Sequence, residues 1–327
     1  MTLLLSSDDL ARLLDVDRVV DAVQTAFASY SAGLTVTPLR VGVEPPGTDG
    51  VLLAMPCAVA EPAALGAKIV SVFRGNPARG LPTVTSVYLL SDYGTGAPLA
   101  VMDGGYLTAI RTAAGSAVAT RHLARPEART LGIFGTGVQA RFHVLTISRV
   151  RQLDAVLVAG SSADKAAAFA RWVTETTGLR ARPAARAEVA AADVVAACTT
   201  SGTPVLDGGT VRAGAHVNAV GAFTPTTREL PSDLVGRARV YVDTRAGALA
   251  EAGDLLLAVA DGAFRLEAVA GEVGEVVLHR AAGRAAADGL TVTVYKSVGA
   301  AFLDAVTARL AYEGAQKTGV GVHFQFT

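Results

Sequence analysis

The chain has 327 residues, about twice the length of a typical domain, so its length predicts two domains. Lysine plus arginine and aspartate plus glutamate both number 29, and the resulting net charge of zero lacks the basic excess of a nucleic-acid-binding protein. The longest stretch without a charged residue, 22–39, is interrupted by glutamine, serine, glycine and proline. We therefore do not expect it to cross a membrane.

The amino terminus and the cysteines bear on the cellular compartment. Residues 1–5 lack the basic region of a secretory signal, and Asp8 and Asp9 follow before an apolar segment of signal length is complete. The two cysteines, Cys57 and Cys198, are far apart and have no histidine or cysteine neighbours at metal-ligand spacing. We expect a cytoplasmic protein without a disulfide framework or a metal site.

The first third of the chain changes from a helical to a strand-like pattern. Apolar residues recur at helical spacing over 6–32, which predicts one or two amphipathic helices. Short runs rich in valine, leucine, threonine and tyrosine follow over 35–98, which predicts an antiparallel sheet of hairpins. The clearest strands are predicted at 51–55, 67–73 and 83–90. A helical pattern over 107–123 ends before Pro126, so we place a domain boundary near Ala124.

From residue 130 onward, short apolar strands alternate with helical stretches, which predicts a parallel sheet with helices on both faces. The predicted strands are 130–134, 155–159, 193–197, 216–220 and 239–243. A strand-like segment at 291–295 precedes a helical pattern over 297–318, which we expect to pack on the first domain. The fold class is therefore α/β, with a Rossmann-type parallel-sheet domain at 125–295. An α+β domain with an antiparallel-rich sheet combines 1–124 with 296–327.

A glycine-rich turn, Gly-Thr-Gly-Val-Gln-Ala over 135–140, joins the first of these strands to a helix. Gly135 permits the tight turn, Gly137 lets a pyrophosphate approach the backbone, and Ala140 permits close helix packing. The motif alone is a weak signal, but the strand before it and the helix after it predict a dinucleotide site. The predicted cofactor contacts in the turn are Gly135, Thr136, Gly137, Val138 and Gln139.

The end of the second strand of this domain predicts which dinucleotide is bound. An NAD-selective site places an acid there to bind the ribose 2′-hydroxyl, whereas this chain has Gly160, Ser161 and Ser162. The lack of a carboxylate, together with two hydroxyls and Lys165 one turn on, favours NADP(H). NAD(H) stays open because no arginine stands at the strand end to clamp a 2′-phosphate.

Further motifs run in order along the whole chain. They include Met-Asp-Gly at 102–104, Leu-Thr-Ala-Ile-Arg-Thr-Ala-Ala at 107–114, Glu-Ala-Gly-Asp at 251–254 and Thr-Val-Tyr-Lys-Ser-Val-Gly at 293–299. Together with the glycine-rich turn, they resemble the ornithine cyclodeaminase/mu-crystallin family from residue 6 to residue 319. The ordered set is more specific than any single motif.

The resemblance implies a homodimer whose first domain binds the substrate and forms the dimer sheet, with Arg40, Lys68 and Arg111 converging beside the nicotinamide. The residues agree, because each is a lone cation in an apolar or small-residue stretch, where an unpaired charge is costly to bury. Arginine can hold a carboxylate bidentately, and lysine can donate a proton. An internal acid such as Asp92 or Asp103 is the alternative partner for Arg111.

The family also implies roles for further residues. Additional cofactor contacts are expected at Thr83, Thr112, Thr199, Val220, Gly221, Lys296 and Ser297. Glu251 and Asp254 are candidates for a proton relay, and the alternative is that they are charges on a solvated helix face or at a helix N-terminus.

One departure from the family bears on the reaction. The resemblance implies that ornithine cyclodeaminases carry an aspartate soon after a Val-Gly pair, but the corresponding segment, 220–225, has no acid. Phe223 in this segment cannot pair with a substrate ammonium, and it suits a ring methylene as a substrate contact. The run 220–230 is instead similar to mu-crystallin and related ketimine reductases.

The predicted reaction is NAD(P)H-dependent reduction of a small cyclic ketimine carboxylate, of the pyrroline-2-carboxylate or piperideine-2-carboxylate type, to a proline- or pipecolate-like imino acid. Arg40 and Arg111 are predicted to hold the carboxylate, and Lys68 to complete the anion site and protonate the imine nitrogen. The alternatives are an alanine-type amino-acid dehydrogenase, an ornithine cyclodeaminase and a mu-crystallin-like binding protein without turnover. We expect neither nucleic-acid nor membrane partners.

Overall fold

The structure, a computed structural model, describes residues 1–73, 75–284 and 289–325. Its backbone contacts divide the chain into two compact units, Met1–Arg111 with Ala300–Thr327, and Thr112–Gly299. The sequence placed the boundaries near residues 124 and 295. The first boundary falls after Arg111 instead of near residue 124, because one continuous helix, Gly104–Leu123, contributes residues to both units.

The first unit begins with strand β1 (Thr2–Leu5) and helices α1 (Ser7–Leu13) and α2 (Val16–Ser31). Ser6 caps α1 by accepting a hydrogen bond from the Asp9 N–H, and the Asp15 side chain caps α2 in the same way. The apolar stripe of both helices is buried, as the spacing predicted. Its buried members include Leu10, Leu13, Val19, Val20, Val23 and Phe27.

Six strands and a long helix follow in the chain. They are β2 (Thr35–Val36), β3 (Val41–Val43), β4 (Gly50–Val59), β5 (Ala64–Phe73), β6 (Val84–Ser91), β7 (Pro98–Asp103) and α3 (Gly104–Leu123). Neighbouring strands from β4 to β7 pair antiparallel, which confirms the predicted hairpins. A short 3-10 helix, Asn76–Arg79, lies between β5 and β6.

The second unit alternates strands and helices, as predicted. Its strands are β8 (Thr130–Phe134), β9 (Ala155–Ala159), β10 (Arg180–Pro183), β11 (Val194–Ala197), β12 (His216–Ala219), β13 (Arg239–Val242), β14 (Gly271–Glu272) and β15 (Thr293–Lys296). Its helices are α4 (Val138–Val150), α5 (Ala163–Thr177), α6 (Arg186–Ala190), α7 (Ser232–Arg237), α8 (Arg245–Glu251), α9 (Gly253–Ala260) and α10 (Val273–Val277). Two 3-10 helices are Gly208–Thr210 and Leu266–Ala268.

The strands of the second unit form one parallel sheet in the order β10-β9-β8-β11-β12-β15-β13-β14. Apolar side chains of these strands enter two buried clusters, as expected for strands covered on both faces. The order reverses direction at β8, with β9 on one side and β11 on the other. In such sheets, ligands bind where the carboxyl ends of the strands meet this reversal.

The chain returns to the first unit through α11 (Ala301–Thr318), which Gly319 ends in a left-handed conformation, and β16 (Val322–Phe324). The completed sheet has the order β16-β1-β7-β6-β5-β4-β2, with β3 also paired to β4. Helix α11 packs against β4, β5 and β6 and so covers one face of this sheet. None of the helices in the described ranges combines the length and apolar character that a membrane span requires.

Candidate active site

Lys68 lies on the face of the first unit's sheet that α11 covers. Its register partners are Met55 on β4 and Tyr88 on β6, and all three side chains are buried. Only 2% of Lys68 is exposed, which is rare for lysine unless its charge is paired. The site is therefore built around a buried cation.

Asp304 is the partner of this cation. Its Oδ2 lies 2.8 Å from Lys68 Nζ, and its Oδ1 lies 2.9 Å from Arg111 Nε. Lys68 Nζ also donates a hydrogen bond to Thr108 Oγ1 at 3.2 Å. Asp304 has no exposed surface, and its place in the first turn of α11 adds a favourable interaction with the helix dipole.

The acids that the sequence offered as partners of Arg111 bind backbone N–H groups instead, Asp92 after the end of β6 and Asp103 at the end of β7. Asp92 Oδ1 accepts hydrogen bonds from the backbone N–H groups of Gly94 and Thr95, and Asp103 Oδ1 accepts one from Tyr106 N. Arg111 does have an internal partner, but it is an aspartate near the other end of the chain. Asp304 was not among the site residues predicted from the sequence.

The buried cluster of Lys68, Arg111 and Asp304 contains two cations and one anion, so it carries a net positive charge. Arg111 Nη1 is buried and has no hydrogen-bond partner among the described residues. Among the described residues, Asp304 and Thr108 accept hydrogen bonds from two of the three N–H groups of the Lys68 ammonium, and the third can bind a ligand. A small carboxylate would supply both the missing charge and the missing acceptors.

The surroundings of Lys68 make its ammonium a stronger acid. Burial, reinforced by the charges of Arg111 and Arg40, lowers the pKa of Lys68 from 10.5 to about 8 against the opposing effect of Asp304. Burial alone would raise the pKa of Asp304, but the charges of Arg111 and Lys68 hold it below its ordinary value. The three predicted cations thus act on one electrostatic site, in which Lys68 can release a proton near neutral pH.

Tyr88 brings a second unpartnered polar atom to this face. Its hydroxyl is buried without a hydrogen-bond partner among the described residues, and burial and Asp304 raise its pKa well above the ordinary value. Burial likewise raises the pKa of the Cys57 thiol to about 12, so that thiol stays protonated and unreactive. Tyr88 is therefore a neutral hydroxyl, and the sequence analysis did not single it out.

The glycine-rich turn of the second unit lies between β8 and α4, as predicted. Gly135 has a φ of 105°, and a Cβ there would approach the Cys198 carbonyl oxygen to 2.6 Å, so only glycine fits. Gly137 begins α4 without a side-chain cap, and a Cβ at this position would meet no atom within 4 Å. The first N–H groups of α4 therefore border open space, which fits a pyrophosphate.

The carboxyl end of β9 presents the hydroxyls expected at the adenosine side of a dinucleotide. Ser161, Ser162 and Lys165 are all exposed. The Ser162 hydroxyl caps α5 by accepting a hydrogen bond from the Lys165 N–H at 3.3 Å. Asp164, also exposed, lies in the first turn of α5. The strand end itself carries no acid.

Thr199 and Gly221, two expected cofactor contacts, follow β11 and β12 and share one partner, the buried carboxylate of Glu229. Lys296 and Asp254 form a buried ion pair with 2.8 Å between Nζ and Oδ2. Asp254 has no exposed surface, and its role as a proton relay stays a prediction. Glu229 belongs to the family-like run 220–230, but no feature of the sequence indicated a role for it at the site.

Five further residues expected at the site are buried or half-buried, namely Thr83, Thr112, Val220, Phe223 and Glu251. Phe223 packs against the apolar core of the second unit, so part of its ring is committed to that core. The Ser297 hydroxyl donates a hydrogen bond to Asp243 Oδ2 at 3.0 Å. The roles of these residues at the site stay predictions.

Known proteins resemble this chain over its full length. A Delta(1)-pyrroline-2-carboxylate reductase of Bacillus cereus is 37% identical over 327 residues, covering 99% of this chain and 100% of that protein. The structure of the Thermococcus litoralis Delta(1)-pyrroline-2-carboxylate reductase in complex with NADH and L-proline has 37% identity and a TM-score of 0.95, covering 99% of this chain and 100% of that one. An archaeal alanine dehydrogenase dimer with bound NAD has 32% identity and a TM-score of 0.94, covering 100% and 99%.

The model of one protein family also spans both units of the fold. It matches residues 1–319, which include the Lys68 site and the glycine-rich turn. The ordered motifs along the sequence predicted the same assignment. The chain therefore belongs to the ornithine cyclodeaminase/mu-crystallin family.

Proposed function

We propose that this protein reduces the C=N bond of a small cyclic ketimine carboxylate with a reduced nicotinamide dinucleotide. The observation that carries the proposal is the buried, net positive cluster of Lys68, Arg111 and Asp304, in which Arg111 Nη1 has no partner among the described residues. The 37% identity to pyrroline-2-carboxylate reductases supports the same substrate class.

Each cation of the cluster has a distinct task in this proposal. Arg111 Nη1 donates a hydrogen bond to the substrate carboxylate, while Arg111 Nε stays on Asp304, which fixes the guanidinium plane. Arg40 adds positive charge to the same site. With its pKa near 8, Lys68 donates a proton to the imine nitrogen, and Asp304 orients its ammonium.

The reaction balances with one hydride and one proton. The first N–H groups of α4, at the turn after β8, would hold the pyrophosphate of the dinucleotide, whose reduced nicotinamide would supply the hydride that the imine carbon accepts. The proton that Lys68 places on the nitrogen completes the secondary amine. The product is a proline- or pipecolate-like imino acid that keeps its carboxylate on Arg111.

The cofactor is a nicotinamide dinucleotide, and we propose a preference for NADPH over NADH. The end of β9 has no carboxylate to repel a 2′-phosphate, and the exposed Ser161 and Lys165 can bind one. The two solved relatives bind NADH and NAD, so NADH is the competing cofactor. Dissociation constants of both dinucleotides, for the wild type and for Ser161→Asp, measure the preference, and the new carboxylate should favour NADH.

An alanine-type dehydrogenase is the second candidate, because 32% identity links the chain to such an enzyme. The cluster around Lys68 can hold the carboxylate of an acyclic imine formed from a 2-oxo acid and ammonia as well as that of a ring. An ornithine cyclodeaminase is less favoured, because 220–225 carries Phe223 and no acid to pair with an ammonium.

The experiment that separates these candidates is a substrate panel. Purified protein with NADPH or NADH should consume the cofactor with pyrroline-2-carboxylate or piperideine-2-carboxylate in the absence of ammonia. Turnover of pyruvate that depends on added ammonia, without turnover of either ring, would assign the second candidate. Binding of the dinucleotide and an imine without consumption of either would assign a binding protein instead.

We also propose a homodimer formed through the outer face of the first unit's sheet. The residues on this face alternate with the buried ones, and Leu52, Ile69, Val87 and Leu89 are each at least 37% exposed. A contiguous apolar sheet face of this kind marks a protein interface. The related alanine dehydrogenase is a dimer.

A further inference from the structure

Three loops at the carboxyl ends of β8, β11 and β12 are packed backbone against backbone. A Cβ on Gly135 would lie 2.6 Å from the Cys198 carbonyl oxygen, and a Cβ on Gly221 would lie 2.0 Å from that of Thr199. These glycines therefore permit an approach that no other residue allows. The position of each loop depends on its neighbour.

One side chain holds the last two of these loops together. Glu229 Oε1 accepts hydrogen bonds from the backbone N–H and the hydroxyl of Thr199, both at 2.7 Å, and Oε2 accepts one from Gly221 N at 2.6 Å. Glu229 has no exposed surface. Both of its oxygens face donors, which suits a carboxylate but not an amide, because an amide presents one oxygen and one NH₂ group.

A buried ion pair, Asp254 with Lys296, holds the backbone of Glu229 in place. Asp254 Oδ1 accepts hydrogen bonds from the backbone N–H groups of Glu229 and Leu230 at 2.7 and 2.8 Å. Asp254 Oδ2 pairs with Lys296, which also donates to the carbonyl oxygens of Ala219 and Ala222. The ammonium at the end of β15 thus connects through two buried acids to the loops after β11 and β12.

The location of the two loops indicates what they serve. A dinucleotide on this type of sheet crosses the reversal of strand order, with its pyrophosphate at the turn after the first strand. Here β9, with the exposed serines, lies on the adenosine side of β8, so β11 and β12 lie on the nicotinamide side. The loops that Glu229 joins therefore border the reactive half of the cofactor.

We propose that Glu229 is a positioning residue that fixes the Thr199 and Gly221 loops, before the cofactor arrives, in the conformation that receives the nicotinamide half. This inference rests on the proposed dinucleotide-dependent function. Core packing alone does not explain a carboxylate at this position, because burying a charge costs more free energy than burying an apolar side chain of similar size. The desolvation cost of Glu229 is explained if the two loops must be held rigidly for a ligand.

The test compares two carboxylates at opposite ends of β11, each of which joins that strand to a neighbouring one: Glu229 joins it to β12, and Asp193 joins it to β8. Asp193 Oδ2 accepts hydrogen bonds from Arg129 N, Thr130 N and the Thr130 hydroxyl at the amino end of β8, away from the proposed cofactor edge. We would titrate wild type, Glu229→Gln and Asp193→Asn with NADH and with NADPH, follow the nicotinamide fluorescence, and measure the melting temperature of each.

We expect Glu229→Gln to weaken dinucleotide binding about tenfold or more, the loss associated with hydrogen bonds to a charged group. The dinucleotide dissociation constant of Asp193→Asn should stay within about twofold of the wild-type value, even if this variant loses as much melting temperature as Glu229→Gln does. Equal affinities of Glu229→Gln and wild type, or equal losses in both variants, would overturn the inference. A wild type that binds neither dinucleotide would instead overturn the proposed function.

A measurement on the unaltered protein decides the matter if Glu229→Gln does not fold. Hydrogen exchange of the Thr199 and Gly221 amides reports whether the loops are already fixed without cofactor. We expect both amides to be protected in the free protein and to change little when the dinucleotide binds. Rapid exchange in the free protein, with protection only after binding, would contradict the inference.

Discussion

Arg111 uses one nitrogen inside the protein and leaves another without a partner among the described residues. Arg111→Lys keeps a positive charge for Asp304 but removes the second nitrogen that the proposed carboxylate contact needs. We expect a melting temperature near that of the wild type and a kcat/KM about one to two powers of ten lower, because a charge-assisted hydrogen bond contributes about 1.5–3 kcal/mol. Near-normal kcat/KM in this variant would make Arg111 a structural residue only.

Lys68 determines the expected pH dependence of the reaction. Its pKa of about 8 lies below the ordinary 10.5, so the fraction of Lys68 that can donate a proton falls as the pH rises through 8. Asp304 raises this pKa, and Asp304→Asn should move the alkaline limb of kcat/KM to lower pH.

Thr108→Val is the control for this shift. Thr108 also contacts Lys68 Nζ, but it carries no charge, so the limb should move little. The pH profiles of the wild type and the two variants, measured with saturating cofactor, make the comparison. An alkaline limb that stays at the same pH in Asp304→Asn would remove Lys68 as the proton donor.

At the scale of elements, the turn between β8 and α4 offers a clean test of cofactor binding. Gly137 has φ −86°, and a Cβ there meets no atom within 4 Å, so a β-carbon at this position introduces neither backbone strain nor a clash. The valine would fill the space beside the first N–H groups of α4. We expect the dinucleotide dissociation constant to rise at least tenfold.

The same variant should keep a near-normal melting temperature, which separates it from changes at Gly135, where positive φ and the Cys198 carbonyl exclude a side chain. Fluorescence titration with NADH and thermal unfolding are the two measurements. Unchanged affinity in folded Gly137→Val would show that the pyrophosphate does not bind at this turn.

The elements show what the sequence could and could not predict. Strands β8 and β9 were predicted residue by residue, because buried parallel strands are short apolar runs bounded by turn residues. Strands β1 and β16 were missed. Each is at most four residues long, and pairing between them joins opposite ends of the chain, which no local pattern encodes.

Asp304 was missed for a related reason. It lies on α11 in the buried stripe that includes Ala301, Ala305 and Ala308, where helical spacing predicts an apolar residue. A lone acid in an apolar stripe was the available signal. Its partners, 236 and 193 positions away, could not be inferred from spacing.

At the scale of the whole molecule, the returning segment Ala300–Thr327 completes both the first unit and its ionic cluster. The cations of the site come from the first part of the chain and their anion from the last. The family resemblance predicted the cations but not this anion, whereas the parallel sheet and its turn could be predicted from local patterns. Local sequence patterns thus predict the structure of the second unit better than that of the first.

The proposed dimer also belongs to this scale. Val87 is 50% exposed on the outer face of the sheet, and Val87→Glu would bury an unpaired carboxylate in the interface. The cost is on the order of 3 kcal/mol, or about a hundredfold in the dimer dissociation constant. Sedimentation should show monomers at concentrations where the wild type is dimeric.

Leu290→Glu provides the matched control, because this exposed leucine belongs to the second unit and is not part of the sheet face proposed as the interface. It should leave the sedimentation profile unchanged. A Val87→Glu protein that dimerises like the wild type would place the interface on another surface.

The central claim is that a hydride passes from the nicotinamide to the imine carbon of a cyclic ketimine carboxylate. The most direct measurement uses a reduced nicotinamide dinucleotide that carries deuterium in both transferable positions, together with pyrroline-2-carboxylate, and analyses the product by mass spectrometry. The account predicts proline with one deuterium on the carbon that bears the carboxylate. Absence of labelled proline when both ligands bind to the folded protein would contradict it.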